Sequence, residues 1–217
     1  EPVPGTKRFY IYESIREYAL KKMSTEGSVR DQASKDLTGG SALQALAYRH
    51  SAFFAQLGAP HRLHTEFWDS DAHGRSAYQL ERDNLLHAMA ISQATPHGDI
   101  QGFSTLALAH IHRCFGPFAP ALSWVLTTLQ RDDLSPICRY YLTSEAAHLY
   151  WALAQIDASV TAAAEALAVA QIIKDPIIEA KALSYLADVD HANRPFPERL
   201  EMLNRALKMV QGANEPY

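Results

Sequence analysis

The feature that most constrains the fold of this chain is an apolar pattern that occurs twice, forty residues apart, between residues 135 and 214. Within each copy the apolar side chains are three or four residues apart, which is the spacing of one face of a helix. The two copies comprise Leu142, Ala146, Leu149, Val160, Ala163, Leu167 and Ala170, then Ala182, Leu186, Val189, Leu200, Leu203, Leu207 and Val210. A fainter copy precedes them by 38 residues, at Leu108, Ile111, Phe115, Leu122, Val125 and Leu129. A sustained period of this length is typical of stacked helical hairpins.

Each copy is predicted to hold two helices, with breaks at residues 155–159 and 192–197. Ser135-Pro136 and Asp175-Pro176 each combine a capping residue with a proline suited to the first turn of a helix. Both pairs stand where the period requires a helix to begin, which is independent support for it. Asp99 is predicted to cap the first helix of the fainter copy in the same way.

The fold class that follows is all-α, a stack of antiparallel helical hairpins, with a short strand and helix at the N-terminus. Aromatic and β-branched residues favour the strand over residues 8–12, before a helix that carries Ile15, Tyr18 and Met23. Residues 24–41 are polar and glycine-containing and are predicted to be a loop. Residues 42–98 read as a helical connector, and residues 99–217 as the repeats. A short strand needs partners, and we expect its sheet to lie in a longer protein from which this chain is a piece.

Composition narrows the classes of function. The 217 residues carry 20 basic and 24 acidic side chains, which gives a net charge of −4. This charge balance argues against the basic surface that nucleic-acid binding usually requires. We find no run of the length of a membrane span, and therefore expect no membrane. Cys114 and Cys138 lack a CxxC spacing, and reduced thiols in a cytoplasmic protein are expected.

Three segments resemble one family, the bacterial STAND-type regulators, which combine an NB-ARC-like ATPase, a winged helix and tetratricopeptide-like (TPR-like) repeats. The stretch R-F-Y-I-Y-E-S-I-R-E-Y-A at residues 8–19 is similar to the family's R-F-x-x-L-E-T-I-R-E-Y-A segment. R-H-S-A-F-F at residues 49–54 is similar to R-H-A-x-Y-F, and E-R-D-N-L at residues 81–85 to E-x-D-N-L. The segments occur in the family's order and cover roughly the first ninety residues.

The resemblance implies that residues 1–23 end a winged helix and that the TPR-like repeats form a non-catalytic sensor arm. Such an arm binds a small-molecule inducer or a protein partner on its concave face, and controls the ATPase of the same parent chain. There is no G-x-x-x-x-G-K-[ST] phosphate loop here, so the resemblance does not bring the ATPase itself into this chain. The alternatives are a free-standing helical-repeat adaptor, and an enzyme with an unrecognised helical active site.

Metal and cofactor sites find little support in the sequence. His110 with Cys114, and His61 with His64, are spaced to share an ion, but a zinc site needs three or four ligands. Residues 69–80 begin like a calcium loop, yet place Leu80 where a bidentate Glu is required. We therefore expect no metal, no cofactor and no catalytic residue.

The predicted binding residues lie one position before the core residues on the first helix of each hairpin. In hairpin arrays this helix tends to line the concave surface. The predicted residues are Tyr141, Glu145, His148, Lys181, Tyr185, Asp188 and, from the fainter copy, His110. Their mixture of aromatic, imidazole and charged groups suits a polar ligand or a peptide; a solvated helix face with no ligand is the competing interpretation.

Overall fold

A computed structural model describes residues 13–25, 28–30, 36–68 and 72–213. The described chain is all-α apart from two three-residue strands. The predicted strand at residues 8–12 lies outside the described residues. Eleven α-helical segments are described: α1 (Glu13–Thr25), α2 (Gly39–Ala55), α3 (Pro60–Arg62), α4 (Ala72–Leu80), α5 (Arg82–Ser92), α6 (Gly98–Phe115), α7 (Phe118–Leu129), α8 (Pro136–Ala152), α9 (Ile156–Ile173), α10 (Pro176–Val189) and α11 (Phe196–Gly212).

The segment predicted as a polar loop contains regular structure. Strands β1 (Ser28–Arg30) and β2 (Asp36–Thr38) pair antiparallel, with Val29 opposite Leu37. α2 then begins at Gly39, inside the predicted loop. The loop prediction is wrong over these residues because three-residue strands are too short to show a period.

Between α2 and α6 the helical connector consists of three short segments followed by two helices. A 3₁₀ turn (Gln56–Gly58), the single-turn α3 and a π-helical segment (Leu63–Trp68) precede α4 and α5. At Gly58 the chain touches α6 so closely that a Cβ would come within 1.7 Å of the Phe103 carbonyl oxygen. Glycine is required there by close backbone approach, and the contact positions the connector on the repeats.

The starts of α8 and α10 confirm the predicted caps. The Ser135 side chain accepts a hydrogen bond from the Cys138 amide, and Asp175 accepts from the amides of Ile177 and Ile178. The break after α8 lies at residues 153–155, slightly before its predicted place, and that after α10 lies at residues 190–195.

The predicted cap of α6 is wrong. The helix begins at Gly98, and Asp99 lies inside its first turn, where its Oδ1 accepts from the Ser135 amide at 2.8 Å. The Gly98 amide instead donates to Oδ2 of Asp133 at 2.9 Å. Capping by a residue 35 positions away has no local sequence signal, because only the tertiary fold brings the two together.

The main hydrophobic core lies where α6, α7 and α8 meet the connector. Leu108, Leu142 and Leu149 are fully buried there, beside Phe67 of the π-helical segment. The apolar face of α10 is also buried, and α10 packs on α9 through Ala182. The predicted stripe is thus confirmed on the first helices of the two strong copies and on most of the fainter one.

α11 departs from the predicted stripe. Leu200, Leu203 and Leu207 are 43, 40 and 54% exposed, and Ala206 is the buried residue of this helix. Helix α9 packs between α8 and α10. Among the described helices, α11 makes extensive contact with α10 only. An apolar stripe is buried only where a neighbouring helix covers it. The periodic pattern therefore predicted more buried residues on α11 than the structure shows.

One helix contradicts the expectation that no run has the length of a membrane span. α9 is 18 residues long and, by length and composition alone, apolar enough to cross a membrane. Its buried residues are small: Ala162, Ala163, Ala166 and Ala170 pack towards α8 and α10. The larger apolar side chains of α9 are less covered than these alanines, and Ile172 is 68% exposed.

Candidate functional site

Three helices carry the predicted binding residues on one face each. His110 lies on α6; Tyr141, Glu145 and His148 follow i, i+4, i+7 spacing on α8, and Lys181, Tyr185 and Asp188 follow it on α10. The structure joins these helices through side-chain contacts. His110 Nδ1 lies 3.6 Å from Glu145 Oε2, and the rings of His148 and Tyr185 stack with centroids 4.0 Å apart.

Glu145 is at the centre of a buried polar cluster and is not a surface residue. Its side chain is 3% exposed, and Oε2 pairs with Nη1 of Arg113 at 3.0 Å. Oε1 has no hydrogen-bond partner in the described part of the chain. Burial raises the pKa of Glu145, and the Arg113 guanidinium opposes that rise. The prediction that Glu145 lies on an accessible concave surface is therefore wrong, because the fold buries its carboxylate.

Arg113 was missed by the sequence analysis. It lies three residues after His110 on α6, and therefore on the same helical face, which was the available signal. Its guanidinium carbon lies 4.4 Å from the centroid of the Trp68 ring, a cation–π contact. Arg113 therefore joins the carboxylate of α8 to an aromatic side chain of the connector.

The two histidines of the cluster are held in one tautomer by their own helices. His110 Nδ1 donates to the Leu106 carbonyl at 3.0 Å, and His148 Nδ1 donates to the Ser144 carbonyl at 2.7 Å. A neutral imidazole that donates from Nδ1 has a lone pair on Nε2, so each ring presents an acceptor. Burial lowers the pKa of His110 to about 3 and also lowers that of His148.

Trp68 closes the cluster from the connector side. Its ring lies 5.5 Å from that of His110 between centroids, and it remains 40% exposed. The neighbouring Phe67 is fully buried and meets Tyr78 and His110 edge to face. Phe67 thus anchors the segment in the core, and Trp68 is held at the surface beside the repeats.

Two adjoining grooves use most of the predicted residues. The first, of about 600 Å³, is lined by His110, Tyr141 and Lys181 on the repeat side and by Trp68 on the connector side. The remaining lining residues of this first groove are Pro60, His61, His64, Thr65 and Ile137.

The second groove, of about 630 Å³, lies between α10 and α11. Lys181, Tyr185 and Asp188 line it from α10, opposite Leu203 and Leu207 of α11. Lys181 lines both grooves, so they meet at this side chain. His148 contacts Tyr185 behind the second groove and, like Glu145, lines neither.

The pairs weighed as metal ligands do not extend to a metal site. His61 and His64 line the first groove, while Cys114 is exposed at the end of α6. Within the described residues, no three His, Cys, Asp or Glu side chains are arranged to hold a metal ion.

No protein-family model matches the chain, and no match is found among the curated proteins.

Proposed function

We propose that this chain is a non-catalytic binding arm of the TPR-like α-solenoid type, which captures a small-molecule inducer or a protein partner. The first groove carries the proposal: side chains of α6, α8 and α10 meet there with Trp68 of the connector around about 600 Å³. Pockets for small molecules have this range of volume and combine apolar walls with a few placed polar groups. In this proposal the three first helices of the hairpins form the concave side of the stack.

The burial and hydrogen bonding of the polar side chains support ligand binding in preference to catalysis. A general acid or base must reach a proton of the substrate. The Glu145 carboxylate is buried against Arg113, and burial lowers the pKa of His110 to about 3, so the Nε2 acceptor of that ring is a weak base. These contacts fix the shape of the groove wall, which is what a recognition surface requires.

The resemblance to STAND-type regulators supplies the proposed parent: a cytoplasmic transcriptional or signalling regulator whose ATPase and winged helix are the arm's partners. No direct contact of this arm with nucleic acid or membrane is proposed. The geometry offers a coupling route, because the first groove has walls from both the connector and the repeats. A ligand that contacts both walls favours one relative position of the two, and so shifts the parent between states.

The groove is tested by capture of small molecules. The purified chain is incubated with a cell extract, desalted rapidly, denatured and analysed by mass spectrometry for co-purifying species. Lys181→Gln should reduce the recovery of the captured species, whereas Lys208→Gln should leave it unchanged, because Lys208 is exposed on α11 and lines neither groove. Identical recovery from both variants and the original chain would contradict the proposal.

The free-standing adaptor makes a different prediction about the gene. A regulator arm requires a G-x-x-x-x-G-K-[ST] loop encoded upstream in the same reading frame, and an adaptor requires none. Reading the full gene separates the two without an assay.

A further inference from the structure

The first groove also indicates the chemistry of its ligand, an inference that rests on the proposed function. Its walls are aromatic or apolar on two sides. Trp68 is a large, partly exposed aromatic on the connector side, and Tyr141 is a half-buried one on α8 that packs on the main core. Rigid rings of this kind favour a flat apolar body, which stacks on them without ordering flexible groups.

The charged group that lines the first groove is positive. No carboxylate occurs among its described lining residues, and Lys181 brings an ammonium group to it. Within the described chain, no acid lies within ion-pair distance of Lys181, whereas Arg62 and Arg113 each have a carboxylate partner. An anionic ligand therefore finds a counter-ion on this wall, and a cationic ligand finds none.

His110 adds a hydrogen-bond requirement. Because Nδ1 donates to the Leu106 carbonyl, Nε2 is the acceptor of this groove-lining ring. A ligand group that satisfies it must be a donor, such as a ring N–H or a hydroxyl. Conversely, a ligand without a donor leaves a partly buried acceptor unpaired, which costs affinity.

From this combination we propose that the first groove binds a small aromatic carboxylate whose ring system carries an N–H or O–H donor. The ring lies between Trp68 and Tyr141, the carboxylate faces Lys181, and the donor faces His110. Small molecules of this class are proposed in place of a peptide, because the groove holds about 600 Å³, has the connector as one wall, and is lined by a single described ammonium group.

The test uses three probes that share one ring and differ in charge: indole-3-acetate, indole-3-acetamide and tryptamine. Binding is followed by the indole N–H signal of Trp68 in proton–nitrogen correlation spectra of the whole chain. The sequence has three tryptophans, and Trp68→Phe assigns this signal by its disappearance. Indole-3-acetate should bind several-fold more tightly than the acetamide, and tryptamine should bind most weakly.

Substitutions test whether Lys181 causes the preference for a carboxylate. Lys181→Gln should weaken indole-3-acetate about two- to fivefold, the range of one partly exposed charge pair, and leave the acetamide unchanged. Lys208→Gln should change neither. The N-methylated form of indole-3-acetate should bind several-fold more weakly than the parent probe, because it offers His110 no donor.

Two outcomes overturn the inference and are distinguishable from each other. Equal or tighter binding of tryptamine, with the Trp68 signal still shifting, would show that the groove binds ligands of another charge. In that case the proposed function would stand. No shift of the Trp68 signal with any probe would contradict the proposed ligand class, and the capture experiment with Lys181→Gln would then decide separately whether the groove is used.

Discussion

Arg131 shows how one side chain can join segments that are far apart in sequence. Its guanidinium donates to the carbonyls of Gln93 and Thr95, to Oε1 of Gln101 and to both carboxylate oxygens of Asp133, at 2.7–3.1 Å. Asp133 in turn accepts from the first amide of α6. The pair therefore joins the segment after α5 and the start of α6 to the segment between α7 and α8.

Replacing Arg131 should be costly for that reason. Arg131→Ala leaves several acceptors without their donor, and we expect the free energy of unfolding to fall by about 2–4 kcal/mol. Arg205→Ala is the matched control, because Arg205 is 62% exposed and, within the described part of the chain, its side chain makes one hydrogen bond, to Glu179. Its cost should be below about 1 kcal/mol. Urea denaturation of the two variants measures both values, and equal losses would contradict this role of Arg131.

The buried His110 makes stability depend on pH. In the unfolded chain its pKa is near 6.5, and burial lowers it to about 3 in the folded chain. Between these values the unfolded state binds more protons at this position, so stability falls as pH falls through that window. The largest slope from one group is about 1.4 kcal/mol per pH unit.

His110→Gln removes this dependence and keeps a polar side chain. Arg113, Glu145 and His148 face His110 and remain in both proteins; the raised pKa of Glu145 acts in the opposite sense at acidic pH. We expect the stability of the original chain relative to His110→Gln to decline by about 1–3 kcal/mol between pH 7 and pH 5. Urea unfolding across this range measures the difference, and parallel curves would show that His110 is not held neutral.

At the scale of the element, the first turns of the repeat helices show how local chemistry sets where a helix begins. Ser135 and Asp175 accept from amides that have no partner inside their helices, and a proline follows each. α6 and α11 begin without a side-chain cap from their own N-cap residues. The strongest sequence signals for a helix start thus coincide with α8 and α10.

The contribution of the Asp175 cap of α10 to the free energy of unfolding can be measured. Asp175→Ala should lower the free energy of unfolding by about 1 kcal/mol, because the Ile177 and Ile178 amides lose their acceptor. Asp175→Asn is the control: its amide oxygen still caps, and most of the stability should be retained. Thermal unfolding of the three proteins compares them. If Asn were as damaging as Ala, the negative charge at the helix terminus would matter more than the hydrogen bond.

At the scale of the whole molecule, burial is concentrated where α6 and α8 meet the connector and thins out towards α11. Leu142 is fully buried in the main core, whereas Leu207, which follows Leu167 by forty residues in the apolar pattern, is 54% exposed. Among the described helices α11 packs chiefly on α10, so little of its apolar stripe is covered.

The two leucines should therefore respond differently to truncation. Leu142→Ala is expected to cost about 2–5 kcal/mol, through lost burial and the cavity left behind. Leu207→Ala should change stability by less than about 0.5 kcal/mol, as an exposed substitution does. Urea unfolding of both variants gives the two costs. A large loss at Leu207 would show that its face is covered in solution.

Much of this protein could be predicted from local chemistry. The helical class, the starts of α8 and α10, and the core stripe on α8 and α10 follow from spacing and capping, which act within a few residues. The same spacing selected Tyr141 and Lys181, which line the first groove with His110.

Other features were decided by the tertiary structure alone. Three features depend on residues that are distant in sequence. They are the exposure of the α11 leucines, the capping of α6 by Asp133, and the burial of Glu145 with Arg113. Trp68 belongs to a π-helical segment without a repeat pattern, and only packing brings it to the groove. Periodicity identifies the face of a helix on which a side chain lies; what covers that face is set by the neighbouring elements, because burial is a property of pairs of surfaces.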